Sequence, residues 1–230
     1  MSLHTTGRPL DAHGEPTAGP ALELDPESRA ADLLRESPHA LASAPGSRTW
    51  SVLLDDPDAD RPEMVLWLGP DATVLPPHVH RTRDETFEAL RGELTVTVDG
   101  DPRTLGPGES YTVDPGVPHN FANETDGVVA FRVEPPWAKT VLTQYTVSGL
   151  DHEGTFGSDD KYGEPGPLYA LVSSEALSAE TRLQVAPHVV QRVLWATVGR
   201  VAKLLGHRAV REEYVSDAYW RETVEQPTFS

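Results

Sequence analysis

The chain has 230 residues, enough for one domain with extensions and short for two independent ones. It contains no cysteine, which excludes disulfides, thiolate zinc sites and cysteine nucleophiles, and leaves any metal to His, Asp or Glu. A formal net charge of −17 repels phosphate backbones, so no nucleic-acid partner is expected.

Residues 1–45 read as an N-terminal arm, partly disordered, rich in Pro, Gly, Ala and acid. One short helix is expected from Pro26 to Leu34, with Asp25 as its cap. No positive region followed by an apolar run occurs between Met1 and Leu34, so no secretory signal is expected and the default location is cytoplasmic. No run of 18 apolar residues exists, so no spanning helix is expected either.

Residues 46–150 read as a β-barrel domain. Trp50, Val52 and Leu54 alternate, and Met64-Val65-Leu66-Trp67-Leu68 is the continuous apolar run of a buried strand. Leu94, Val96 and Val98 alternate with Thr95 and Thr97 and run into Asp99-Gly100, a strong hairpin signal. Tyr111–Val113 and Val128–Val133 supply further strands, and Thr140–Val147 has the pattern of another. Short strands separated by Gly/Pro turns imply a sandwich or barrel. Residues 151–230 read as a loop and a C-terminal helical extension. Asp151–Gly166 is the loop, Ser174–Leu183 a short helix, and Pro187–Leu205 a longer one with Gly206 just past its end.

His78-Val79-His80 places two imidazoles on one face of a strand. Glu85 follows five residues later, beyond a polar stretch that lets the chain turn and bring it back beside the pair. In the second segment, Gly108 opens a turn, Ser110–Val113 forms a strand, and Pro115-Gly116-Val117-Pro118 turns into His119, with Asn123 four residues on. Strand pairing would bring His119 to the first three groups. These stretches, His78-x-His80-x4-Glu85-x6-Gly92 and Gly108-x7-Gly116-x2-His119-x3-Asn123, resemble the two signature motifs of the cupin superfamily, over residues 60–136. Two turn positions depart from the pattern: Ala72 stands where a glycine is usual and Asp114 where a proline is usual. Neither touches a ligand.

The resemblance implies an all-β fold, a double-stranded β-helix or jelly-roll barrel, here with an N-terminal arm and a C-terminal helical extension. It also implies a divalent transition metal held by His78, His80, Glu85 and His119. Three imidazoles and one carboxylate suit a divalent transition metal, Fe(II) or Mn(II) in the first place, with Zn, Ni or Cu as alternatives. The leading expectation is a metal-dependent, oxygenase-like enzyme acting on a small molecule. The alternative is a non-catalytic module that binds a small ligand or metal. Phe87 is a candidate pocket wall, set against plain core packing, and Trp67 and Tyr111 are read first as barrel core with a pocket wall as the alternative. Arg81, Arg83 and Glu88 are candidate substrate contacts, set against a solvated surface role. A homodimer through barrel edges is implied by the resemblance alone.

The segment Thr181–Arg211 has no Asp or Glu and six basic residues, so it carries +6 in a chain of −17 and leaves −23 on the remainder. Arg192, Arg200 and Lys203 share one helical face, and Val190, Leu194, Val198, Val201 and Leu205 the opposite one. The expectation is a helix packing its apolar face on the barrel. The alternative is peripheral membrane contact or partner docking through residues 187–208.

Overall fold

The computed structural model describes residues 3–135, 137–157 and 162–229. Part of the expected 151–166 loop, residues 158–161, lies outside the described residues.

Two antiparallel sheets form the barrel. β7 (Glu85–Arg91), β10 (Ser110–Val113), β12 (Val129–Glu134), β5 (Met64–Leu68), β4 (Thr49–Leu53) and β3 (Ala42–Ala44) make the larger, in the order β10-β7-β12-β5-β4-β3. The smaller runs β13-β6-β11-β8-β9, with β6 (His78–His80), β8 (Leu94–Val98), β9 (Asp101–Leu105), β11 (His119–Ala122) and β13 (Thr181–Leu183). The β8–β9 hairpin turns at Asp99-Gly100, both at positive φ (52° and 88°), which is why that dipeptide was diagnostic.

Alternation along β5 sorts its side chains into two cores. Met64, Leu66 and Leu68 point between the sheets with Phe87, Leu94, Val96 and Phe131. Val65 and Trp67 point to the opposite face, where Trp50, Val52, Leu22, Leu24 and Leu34 meet them. The whole of β5 is therefore buried, as a continuous apolar run requires when both faces of a sheet are covered. The second cover comes from residues 3–45, read from sequence as an arm. They form the pair β1 (His4–Thr6) and β2 (Leu22–Leu24), then α1 (Arg29–Glu36), then β3. The α1 cap is Ser28, whose Oγ accepts from the Ala31 amide, so the helix begins three residues later than expected. The Trp50 indole donates to the Gly7 carbonyl at 2.8 Å, and Arg8 pairs with Glu225 at 2.7 Å, tying both ends of the chain to this face.

Three expectations for the second half are corrected. Thr140–Val147 is not a strand but part of α2 (Ala138–His152). Its β-branched residues mimic a strand, but Val141, Tyr145 and Gly149 fall on one helical face and pack against the barrel end and Tyr214. Ser174–Leu183 is not one helix: α3 (Pro167–Leu177) ends and the chain re-enters the smaller sheet as β13, pairing with β6. The C-terminal helix forms, as α4 (His188–Leu194), a π-helical turn (Trp195–Gly199) and α5 (Arg200–Leu204) in continuation. It does not pack its apolar face inward. Gln191, Trp195, Gly199 and Ala202 are buried, while Val190, Leu194, Val198, Val201 and Leu205 are exposed. The Trp195 indole reaches Ser174 at 3.0 Å and Gln191 caps the Leu183 and Ala186 carbonyls, so hydrogen bonds and small residues chose the inner face. A short 3-10 turn (Glu212–Val215) and α6 (Asp217–Thr223) close the chain against the barrel end.

Gly149 sits mid-helix, where alanine ordinarily stabilises by about 1 kcal/mol. Here a Cβ would overlap the buried Tyr214 ring. Gly149→Ala is expected to destabilise by about 1–3 kcal/mol, measured by urea denaturation; an unchanged or raised midpoint would refute this packing.

Candidate metal centre

β6 is only three residues long, and its His78 and His80 are buried while Val79 between them is half-buried. Pro76-Pro77 leads into the strand, and β6 is then held on both edges. β11 pairs it with His119 opposite His78, and β13 pairs it with Thr181 opposite His80. The turn of the second motif is tied in by the Gly116 amide donating to the His80 carbonyl at 2.7 Å. Glu85 opens β7 on the other sheet, sharing its inward face with Phe87 and Ala89. The loop before it is pinned by Arg61–Asp84 and Arg83–Asp60, each at 2.8 Å.

This scaffold brings one ligand atom each from His78, His80, Glu85 and His119 within 4.8 Å of one another, all four residues buried. Glu85 Oε2 lies 2.9 Å from His119 Nε2, 3.1 Å from His80 Nε2 and 3.9 Å from His78 Nε2. Every ring turns its other nitrogen outward. His78 Nδ1 donates to the Pro76 carbonyl at 3.1 Å, and His119 Nδ1 to the Val117 carbonyl at 2.9 Å. A carbonyl only accepts, so these two Nδ1 atoms carry protons and their Nε2 atoms point inward with lone pairs when the ring is neutral. His80 Nδ1 meets the Thr181 hydroxyl at 2.9 Å.

Inward lone pairs facing a carboxylate repel unless a positive charge lies among them. One proton on His119 would offset Glu85 but leave the inward Nε2 lone pair of His78 without a partner, and charging all three imidazoles, whose ring centres are 4.5 to 5.1 Å apart, is costly in a buried site. A divalent cation satisfies all four donors at once, and the donor set fits one. Ionisation agrees. Burial raises the Glu85 carboxyl, but bonds from the His119, His78 and His80 imidazoles outweigh it and hold the group well below the usual carboxylate range. Burial lowers His80 below its ordinary value despite Glu85 beside it. Burial also pushes His119 down, but Glu85 and the Val117 carbonyl prevail and it lies above its ordinary value.

The other residues singled out in the sequence divide. Phe87 lies against the site, its ring 6.2 Å from that of His119 and 5.6 Å from Phe121. Tyr111 packs on the same core with the Arg103 guanidinium 4.9 Å over its ring. Trp67 belongs to the other core. Arg81 donates to the Ala179 carbonyl, Arg83 bonds Asp60 and lies 4.0 Å over Trp137, and Glu88 meets Arg132, so none of the three joins the cluster. Asn123 is a turn residue, donating to the Leu68, Gly69 and Gly127 carbonyls. Thr181 lies in a sequence context with a helical pattern, and nothing local marks a residue that pairs with a strand a hundred positions earlier.

A family model described as "Cupin domain" matches residues 64–133, the segment that contains all four converging side chains. Residues 64–133 form a cupin domain. Over 45 residues the chain is 36% identical to the HTH-type transcriptional regulator PuuR of Escherichia coli (strain K12), covering 20% of this chain and 24% of that protein. The chain thus spans about a quarter of the length of the curated relative it matches, 24%. Among solved structures, it is similar to a predicted oxalate decarboxylase from Thermotoga maritima (18% identity, 43% of this chain, 93% of that one, TM-score 0.38). It is also similar to the polyketide cyclase RemF from Streptomyces resistomycificus (25% identity, 48% and 86%, TM-score 0.34).

To this cupin domain the helical extension adds β13, so the Thr181 hydroxyl orients His80 from outside the motifs. Thr181→Val is expected to weaken divalent-metal binding about tenfold to a hundredfold, read by competition with a chromogenic chelator, with Thr181→Ser restoring it. Equal affinity in the valine variant would remove the role.

Proposed function

We propose that this protein is a metal-dependent cupin enzyme, oxygenase-like, acting on a small molecule, with His78, His80, Glu85 and His119 holding Fe(II) or Mn(II). The observation that carries the proposal is the convergence of three Nε2 atoms and one carboxylate oxygen in a buried site, with the Nδ1 atoms of His78 and His119 anchored to carbonyls. When bound, such a metal supplies Lewis acidity and coordination positions at which a chelating substrate and dioxygen can meet.

The chain's own residues set the conditions for that chemistry. Glu85 provides the single negative charge, so the site neutralises only half of a divalent ion and favours an anionic substrate. Nδ1 bonding fixes each ring, so little reorganisation is needed when substrate arrives. Phe87, Phe121 and Phe131 pack into one aromatic cluster beside His119, which excludes water and suits an apolar or aromatic substrate body.

A second reading, a non-catalytic ligand- or metal-binding module, draws on the short likeness to a protein named as a transcriptional regulator. One experiment separates the two. Metal content is measured in purified protein, and dioxygen uptake by the iron-loaded form is followed over catechols, flavonols and diketones. The expected result is bound metal and uptake with at least one class, with His119→Ala losing both, activity falling about a hundredfold or more. Bound metal without uptake for any class would favour the binding module; no metal in wild-type protein would overturn the proposal.

A further inference from the structure

The α4–α5 helix presents an exposed apolar surface that neither the barrel nor the proposed chemistry uses. Relative exposures are 69% for Val189, 58% for Val193, 53% for Val201, 87% for Leu204 and 68% for Leu205, with Val190, Leu194 and Val198 also exposed. Seventeen continuous residues span about 26 Å, so this is a long strip rather than scattered side chains. Outside residues 185–205, the large apolar residues exposed among the described residues are Leu3 and Leu75. The strip is a concentration of exposed apolar surface of the kind that marks an interaction site.

Cations border it. Arg192, Arg200 and Lys203 lie beside the buried face; Lys203 is paired with Glu175 at 2.9 Å, while Arg192 and Arg200 form no ion pair among the described residues. Between α3 and α5 lies a groove of about 600 Å³, lined by Val172, Ala176, Leu204 and Ala209 together with Arg200, Lys203, His207 and Arg208. Apolar and basic side chains on one groove are the complement of an acyl chain and its phosphate.

We propose that this face docks on a bilayer carrying anionic phospholipid, with the valines and leucines entering the interface and Arg192, Arg200 and Arg208 meeting headgroup phosphates. A second copy of the chain fits less well. Helix against helix would stack these arginines with no acid anywhere in residues 181–211 to offset them. Among the described residues, helix against any other face would find no comparable apolar patch, since the other large exposed apolar residues are Leu3 and Leu75. A charge of −23 on the rest of the chain turns that part away from an anionic surface, so attraction and repulsion select the same orientation. This inference is independent of the metal centre.

The full chain is sedimented with phosphatidylglycerol–phosphatidylcholine vesicles and with phosphatidylcholine vesicles alone, at low and high salt. Co-sedimentation with the anionic vesicles, weakened by salt and absent with phosphatidylcholine, is expected. Val193→Ser, Val201→Ser, Leu204→Ser and Leu205→Ser combined should lower the partition coefficient about a hundredfold or more. Arg192→Gln with Arg200→Gln should lower it about thirtyfold. All these positions are exposed, and unchanged circular dichroism and thermal unfolding midpoint show that the variants fold. The proposal is overturned if wild-type protein stays in solution with anionic vesicles at low salt, or if the serine variant sediments undiminished. A vesicle-free dimer that the serine set dissolves, without vesicle binding, would assign the face to a second copy instead.

Discussion

The interior of this barrel is organised around one electrostatic requirement: four electron-pair donors point at a common centre away from water. A carboxylate buried this deeply is tolerable only with compensating positive charge. The three imidazoles beside Glu85 cannot all provide it as protons without repelling one another at ring separations near 5 Å. The four donors together form a set that could hold a divalent cation. Much of the surrounding structure keeps these groups from relaxing: carbonyls hold Nδ1 of His78 and His119, a hydroxyl holds His80, and both neighbours of β6 clamp a strand of three residues.

Rigidity at the centre depends on coverage far from it. Glu85 belongs to the larger sheet, the histidines to the smaller, and their spacing is set by how tightly the sheets pack on Phe87, Phe121 and Phe131. The larger sheet is in turn backed by the N-terminal residues around Trp50 and Trp67, so a segment without catalytic groups buttresses the wall that carries the carboxylate. The helical extension contributes from the other side. It lends β13 to the ligand-bearing sheet, then turns a narrow polar and small-residue face inward and leaves its valines and leucines outside. One segment thus bears on both the buried His/Glu cluster and the outer surface.

The sequence by itself determined the strand pattern and the β8–β9 hairpin, because side chains two apart share a strand face and Asp-Gly permits two successive positive φ values. That His78, His80, Glu85 and His119 would come together followed instead from the resemblance of two separate segments to cupin motifs, and the fold does gather them. The sequence did not determine what depended on distant partners. Thr140–Val147 carries strand propensity, yet forms a helix because Val141 and Tyr145 are buried together against the barrel end. Thr181 became a strand residue only because β6 had an open edge to pair. Which face of the α4–α5 helix lies inward was likewise undecidable locally, since hydrophobicity chose the valines and leucines while α3 offered Ser174 to the Trp195 indole and room for Gly199 and Ala202. Periodicity is a property of a few neighbouring residues, whereas burial is a property of whatever the rest of the chain brings to the same place.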